Sequence, residues 1–585
     1  MMPVIQTQKY GKPRNATISS YLNLSVSSHP SDSSLSLSLL AVPFGSLPIF
    51  YIKMTLLTEL PLEILDHILG FVDPADLAWL PRTCRTLYNV VTHNSALFKL
   101  VYLNHLDVPP SAASVDYEQS LKDLVRLQVI CRRDSVDAKK SELDFVHQTV
   151  TSLLGNAATE SEGEGKSAHL PASRNADILT DIFAIESNKS AFLCRSFIYN
   201  RARAEFHSRL NEIVFDSSRK TEHQKSAHLH CLYGVPQLSA YPSAIRQTRY
   251  NKMSPFACSK VYDLRQYNME NKWGPFMDDG TMDVDWEKVE AVMIVIGANM
   301  AGLPSSPMYE GFCSIPFAGT WPGSWKDGRL SSSSPGSPLL HSPGSPPDTQ
   351  PSASLLDERD PYGVSGLWLR VVCFLDYNDF SAHNFTDEEV LPLHVPRRII
   401  HFSEATRLIF MRIFVTAIEP PGPEDGQDLP VVHFKGVSRS LDRSFDENAN
   451  SDLRGIALVR GSVRLTPAGE VRWTTFSIFG GVERWRSESV QVGGVGSAKG
   501  VLGHWFDKNY DPRGPAGPTA FWKVQNPEKS NSDSEIQQRW LDRLNDSIEF
   551  IEDDETHLFL YEDDEEDEEL GSEDDTTLPS THTTL

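Results

Sequence analysis

The sequence predicts an α+β protein: three short helices near the start, a helical spacer, then a β-rich domain of sandwich or barrel type with a disordered insertion and tail. Three observations carry that expectation. Apolar residues recur at helical spacing from Leu60 to Val91 and again from Leu121 to Leu210. After about Leu232 the texture changes to short β-branched and aromatic runs punctuated by Gly, Pro, Asn and Asp. Nine of the eleven tryptophans lie between Trp273 and Trp522, where they could fill a core between strands.

Residues 1–53 are rich in Ser, Leu and Pro. Their most apolar run, Leu37–Ile52, is interrupted by Pro43, Gly45 and Pro48, which suits neither a membrane helix nor a signal peptide. A disordered extension is expected here, with Met54 as an alternative start. Thr58–Val101 follows, and the rest of the chain is organised around it. Leu60-Pro61 places proline in a first helical turn, where its missing N–H loses no partner. Thr58 is the expected N-cap, and Glu63 sets a carboxylate near the positive end of the helix dipole. Leu60, Ile64, Leu65, Ile68, Leu69 and Val72 mark an apolar face, with Glu63, Asp66 and His67 opposite. Asp73-Pro74 ends that helix. A second short segment holds Leu77 and Leu80, and a third holds Cys84, Leu87, Val90 and Val91. Three short helices in about 45 residues cannot bury so much apolar surface among themselves, so a partner or the rest of the chain must cover it.

Leu60, Pro61, Glu63, Ile64, Leu65, Ile68 and Leu69, then Asp76-Leu77, Cys84-Arg85 and Leu97-Phe98, resemble an F-box over residues 54–105. That motif docks substrate receptors on the Skp-family adaptor of SCF ubiquitin ligases, and through it on the cullin. Leu87 stands where tryptophan is common and Phe98 where Leu-Trp is usual, but both keep a large apolar group. The resemblance implies a non-catalytic, substrate-recognition subunit that presents an unknown protein for ubiquitylation. Its implied docking face is Leu60, Pro61, Ile64, Leu65, Ile68 and Leu69, extended by Leu77, Leu80, Cys84 and Leu87. The alternative for the segment is an ordinary helical hairpin buried in its own domain.

A helical spacer is expected over residues 106–230. Leu121, Leu124, Val125 and Val129, then Leu143, Val146, Val150 and Leu153, keep helical spacing, and Ile178, Ile182 and Phe183 resume it after a linker near 155–174. A rigid spacer suits a scaffold that works by positioning. The β-rich domain is expected over 231–525, with strands at Ala291–Ile296, Leu367–Leu375, Leu408–Ile418, Val431–Phe434, Ile456–Leu465 and Val471–Phe479. An insertion at 326–360 is too polar and proline-rich to pack. Its Ser-Pro pairs at Ser334, Ser337, Ser342 and Ser345 are candidate phosphorylation sites. Residues 526–585 read as a short helix followed by an acidic disordered tail. Asp360–Phe380, Val471–Glu488 and Gly503–Lys523 resemble the C-terminal region of a group of fungal F-box proteins, which implies domain order but no substrate.

The formal charge of −24 is mostly local, because Glu549–Asp575 holds sixteen acids and no Lys or Arg, leaving about −8 elsewhere. Net charge therefore gives no argument for a nucleic-acid partner, and none is expected; nor is a membrane. Seven cysteines scattered without a C-x-x-C pair suit a reducing compartment, cytoplasmic or nuclear. No G-x-S-x-G, H-E-x-x-H or Walker loop occurs, so the familiar hydrolase, zinc-protease and nucleotide-binding signatures are missing. Gly493–Gly500 is glycine-rich but wrongly spaced for a phosphate cradle and reads as a turn. His228, His230 and Cys231 could converge on a strand face, yet no second ligand cluster accompanies them, so no metal and no cofactor are expected. Trp321, Trp325, Trp473 and Trp485, with Arg484 and Arg486, are candidates for a substrate-binding groove, since tryptophan and arginine dominate binding hot spots. The alternative places those tryptophans in the β core. In Val471–Ile478 neither face is wholly polar, so a strand covered on both sides is expected. Two other functions stay open: an interaction scaffold acting outside the ligase, and a β-barrel binder of a small ligand.

Overall fold

Pro61, with φ at −52°, leads directly into helix α1, Leu62–Leu69. Thr58 sits earlier, in the 3-10 turn Leu57–Glu59, so proline-fixed backbone takes the place of the expected threonine cap. The computed structural model describes residues 57–109, 115–157, 173–206, 220–234, 244–301, 353–385, 391–392, 395–401, 404–440, 456–497 and 499–525. The expected N-terminal extension and acidic tail, Trp321, Trp325 and the four Ser-Pro serines lie outside these residues.

Helix α1 stops at Gly70, where a Cβ would stand 2.5 Å from Leu100 Cδ2. Only glycine lets the next long helix cross so closely. Helices α2, Pro74–Leu77, α3, Arg85–Val91, and α4, Ser95–His105, follow, each with its own side-chain cap. Asp73 Oδ1 accepts from the Ala75 N–H at 2.8 Å, Cys84 Sγ from Leu87 at 3.5 Å, and Asn94 Oδ1 from Leu97 at 3.0 Å. Asn94 Nδ2 also donates to Asp66 Oδ1 at 3.1 Å, and Asn104 Nδ2 to the Gly70 carbonyl at 2.9 Å, tying α4 across α1. Leu65, Leu69, Leu77, Leu87, Leu97 and Val101 then join a core that continues into the later helices.

Those helices are α5, Tyr117–Cys131, α6, Val136–Lys140, α7, Leu143–Gly155, α8, Arg174–Ala184, α9, Glu186–Phe192, and α10, Phe197–Phe206. The helical part does not end near residue 231. It continues through α11, Lys220–Tyr233, α12, Ala244–Val261, and α13, Trp286–Ala301, and the barrel begins only at Gly366. The expected strand Ala291–Ile296 is therefore a turn and a half of α13, buried on every side. A helix without a solvent face needs no polar stripe, so its sequence shows an apolar run with no 3.6-residue period. Asp285 gives it a start, accepting from the Glu287 N–H at 3.1 Å. Helix α13 packs against α11 and α12 on one side and the barrel on the other. No helix among the described residues is long and apolar enough to cross a membrane.

Eight antiparallel strands close the barrel in chain order: β1, Gly366–Phe374, β2, Ala405–Glu419, β3, Val431–Ser440, β4, Ile456–Leu465, β5, Val471–Phe479, β6, Val482–Gln491, β7, Val501–Asp507, and β8, Gly517–Gln525. Strand β1 pairs with β8, Arg370 opposite Phe521, so the sheet has no open edge. The architecture is thus helical first and barrel second, and the barrel rather than the sandwich is realised. The first five strands coincide with expected runs, whereas β6–β8 mix charged, small and aromatic residues too freely to stand out. Ala353–Arg359, inside the expected disordered insertion, forms a helix whose Leu356 packs into the core at one barrel end.

Trp368, Phe434, Trp473 and Phe521 fill that end of the lumen, with Trp368–Trp473 centroids 5.0 Å apart and Trp473–Phe521 5.4 Å apart, both edge to face. Inward-facing Gly461 makes room for them: a Cβ there would sit 2.5 Å from Phe434 Cζ. Gly461→Val is therefore expected to destabilise the fold by ~1–3 kcal/mol through overpacking, read from the midpoint of urea unfolding.

Candidate docking surface and barrel groove

Helix α1 carries two apolar stripes rather than one. Leu65 and Leu69 are 2% exposed and belong to the protein's own core, while Ile64, Ile68 and Phe71 are 50%, 41% and 64% exposed. The spacing explains the split: residues four and three apart share a helix face, and Ile64 is rotated about 100° from Leu65. Leu62, Trp79 and Tyr88 add exposed apolar surface on this part of the chain. The Trp79 ring is covered on one face by the Arg82 guanidinium at 4.4 Å, and Phe71 meets the His67 ring edge-on at 5.3 Å.

The ten residues implied as a docking face are thus divided. Leu65, Leu69, Leu77 and Leu87 point inward and hold the helices together, which removes them from any surface. Pro61, Ile64, Ile68 and Cys84 are exposed, and Leu60 and Leu80 are half-buried. Phe71, Trp79, Leu62 and Tyr88 were not singled out from the sequence. For Phe71 the signal was present, since it continues the Ile64, Ile68 stripe by one further turn.

The barrel splits the predicted tryptophan and arginine cluster by strand alternation. Trp473 is fully buried inside, its Nε1 donating to Gln491 Oε1 at 3.1 Å, so it belongs to the core and to no groove. Trp485 also faces inward, edge to face with Trp505 at 5.2 Å, while Arg484 and Arg486 face outward. The outer faces of β3–β6 line a groove of about 270 Å³ with His433, Arg460, Arg464, Arg472, Phe476 and Arg486. No residue of β5 is exposed: its inner face is buried except at Ser477, while on the outer face Arg472, Thr474 and Phe476 are half-buried and Ile478 is buried.

Carboxylates hold these guanidiniums apart. Glu488, fully buried on β6, accepts from Arg472 Nε at 2.9 Å, Arg486 Nε at 3.0 Å and the Thr474 hydroxyl at 3.0 Å. Burial would raise its carboxyl, but Arg472 and Arg486 outweigh that and keep it below the usual carboxylate range. Arg460 pairs with Glu483, which Lys508 also reaches at 2.7 Å, and Arg464 lies 3.5 Å from Asp425. Four arginines face three carboxylates, one of them shared with a lysine, so the groove is basic on a chain whose net charge is −24.

His228, His230 and Cys231 lie on helix α11, not on a strand, and all three are buried. His228 stacks on Trp286 at 3.7 Å and meets His147 at 3.0 Å, whereas His230 bonds Glu290 Oε1 at 2.6 Å. Their rings therefore serve different neighbours. Among the described residues no group of three side chains is placed to hold a metal.

The F-box-like family model matches residues 57–104, which run from the 3-10 turn into α4 and make up under a tenth of the chain. No curated protein and no solved structure matches the chain. The chain carries an F-box-like domain, and such domains in general bind Skp-type adaptors and are typically non-catalytic.

Proposed function

We propose that the protein is the substrate-recruiting subunit of an SCF-type ubiquitin ligase. The observation that carries this reading is the exposed pair Ile64 and Ile68 on a helix whose other apolar stripe is already buried, continued by Phe71 in the turn just past the helix end, within the F-box-like segment. A monomer gains nothing from leaving three large apolar side chains in line on its surface, whereas an adaptor-binding helix needs them. Leu60, Pro61, Leu62, Leu80, Cys84 and Trp79 would extend the contact. The cullin is reached through the adaptor, and the chain itself does no covalent chemistry: it raises the local concentration of a client near the ubiquitin-charged enzyme.

The helices from Tyr117 to Ala301 act in this reading as the spacer, and the barrel as the client-binding domain, with Arg486 and the neighbouring arginines of the outer groove offered to an acidic segment. The six described cysteines are all free thiols, in keeping with the cytoplasm or nucleus. The test is affinity purification of the full chain and of a variant lacking residues 57–69. The full chain is expected to retain a Skp-type adaptor, cullin and ubiquitylated clients, and the variant to lose all three. Adaptor retained without cullin or ubiquitylated clients would instead assign a scaffold outside the ligase.

A further inference from the structure

One cation inside the barrel stands without a counter-charge. Arg370 on β1 alternates with Leu369 and Val371, which belong to the core shared with the helices, so its own side chain enters the lumen, where the residue is 5% exposed. Its Nε donates to Thr519 Oγ1 at 3.0 Å, and that hydroxyl donates onward to the Val371 carbonyl at 3.1 Å. Among the described residues no carboxylate pairs with Arg370, and the other four of its five N–H groups find no acceptor. Burial, with nothing opposing it, pulls the guanidinium down to about 10. Other buried cations of this fold are served differently. Lys139 gives hydrogen bonds to the Cys131 carbonyl, Ser187 and Asn188, and Arg397 rests on Asp263. An unpaired charge in such a place is expensive to keep.

A second unsatisfied donor lies close by. Ser489, Gly503, Thr519 and Val372 form one register row across β6, β7, β8 and β1. The Ser489 hydroxyl is buried without a hydrogen-bond partner. It leans over Gly503, where a Cβ would overlap it, toward Thr519 and hence toward Arg370. Inward side chains beyond Arg370 keep some solvent access. Trp368, Phe434, Trp473 and Phe521 seal the opposite end, but the inward positions Val372, Ile409, Ser477 and Trp485 are only half-buried.

We propose that the barrel lumen binds a monoanionic ligand whose carboxylate is held by Arg370 and Ser489 and whose apolar body lies toward Trp485 and Trp505. A carboxylate suits one fixed guanidinium flanked by a neutral hydroxyl, whereas a phosphate dianion would call for a second positive charge. The carboxylate is that of a free organic acid or of a polypeptide C terminus, which present the same group. This site does not depend on adaptor docking.

The test titrates the purified full chain, by calorimetry, with indole-3-acetate, with its neutral isostere indole-3-acetamide, and with a short peptide ending in a free tryptophan carboxylate. At least one carboxylate probe is expected to saturate the protein, with the amide weaker by at least ~10-fold and binding lost in Arg370→Met. Saturation by indole-3-acetate assigns a free acid, and saturation by the peptide alone assigns a chain terminus. Should Arg370→Met fail to fold, Ser489→Ala, which removes one hydroxyl, is expected to weaken carboxylate binding ~5-fold and leave the amide unchanged. The proposal is overturned by equal binding of acid and amide, by unaltered carboxylate binding in the folded variant, or by no binding of either carboxylate probe up to ~10 mM.

Discussion

Replacing Ile64 and Ile68 together by alanine is expected to weaken binding to a Skp-type adaptor by ~2–4 kcal/mol, a loss of roughly 30-fold to 1,000-fold, with no change in the unfolding midpoint. Both side chains are about half exposed and contribute little to the fold, so truncating them removes interface and leaves the core intact. The matched control is Leu65→Ala with Leu69→Ala. Those residues are 2% exposed, and each truncation is expected to cost ~2–5 kcal/mol of folding stability by opening a cavity. Calorimetric titration against the adaptor, paired with urea unfolding of each variant, separates the two effects. Undiminished adaptor binding in the folded Ile64, Ile68 double variant would defeat the docking assignment.

Glu488→Gln is expected to destabilise the barrel by ~3–5 kcal/mol. The carboxylate is fully buried between Arg472 and Arg486, and glutamine would accept one hydrogen bond while leaving two guanidiniums without a counter-charge. Because the carboxyl is held below the ordinary glutamate value of 4.5, its contribution is fully present above about pH 4.5. It is lost as pH falls through the depressed folded-state value. The stability gap between wild type and Glu488→Gln should therefore be constant at neutral pH and narrow in acid. A second substitution, Arg472→Met, should return part of the lost stability, since the cycle removes the charge left over. A gap that stayed the same down to pH 3, or no gap at neutral pH, would show that solvent and not Glu488 balances these arginines.

Strand alternation explains both what could be read in advance and what could not. Val471, Trp473 and Thr475 were separable from Arg472, Thr474 and Phe476 by parity alone, and the structure keeps that division. Parity does not say which set faces a lumen. Trp485 stands between Arg484 and Arg486 in the sequence, yet adjacent residues of a strand point opposite ways, so the tryptophans and the arginines part. Helix α13 failed for the converse reason: buried on every side, it presents no period to detect. The boundary expected near residue 231 moves with it, because Ala291–Ile296, the first run with a strand-like composition, is helical.

Helical spacing, proline and glycine punctuation and the runs of β-branched residues determined by themselves that helices come first and strands last; that residues 57–104 form an F-box-like unit rests on their resemblance to a family. These are local signals, set by how one residue constrains the next few. Which stripe of α1 is buried, where the barrel closes, that Glu488 gathers two arginines and that Arg370 stands alone were decided only by tertiary structure. Each depends on pairing residues far apart in the chain, such as Arg370 with Thr519, and an apolar or charged side chain carries no local record of what will cover it.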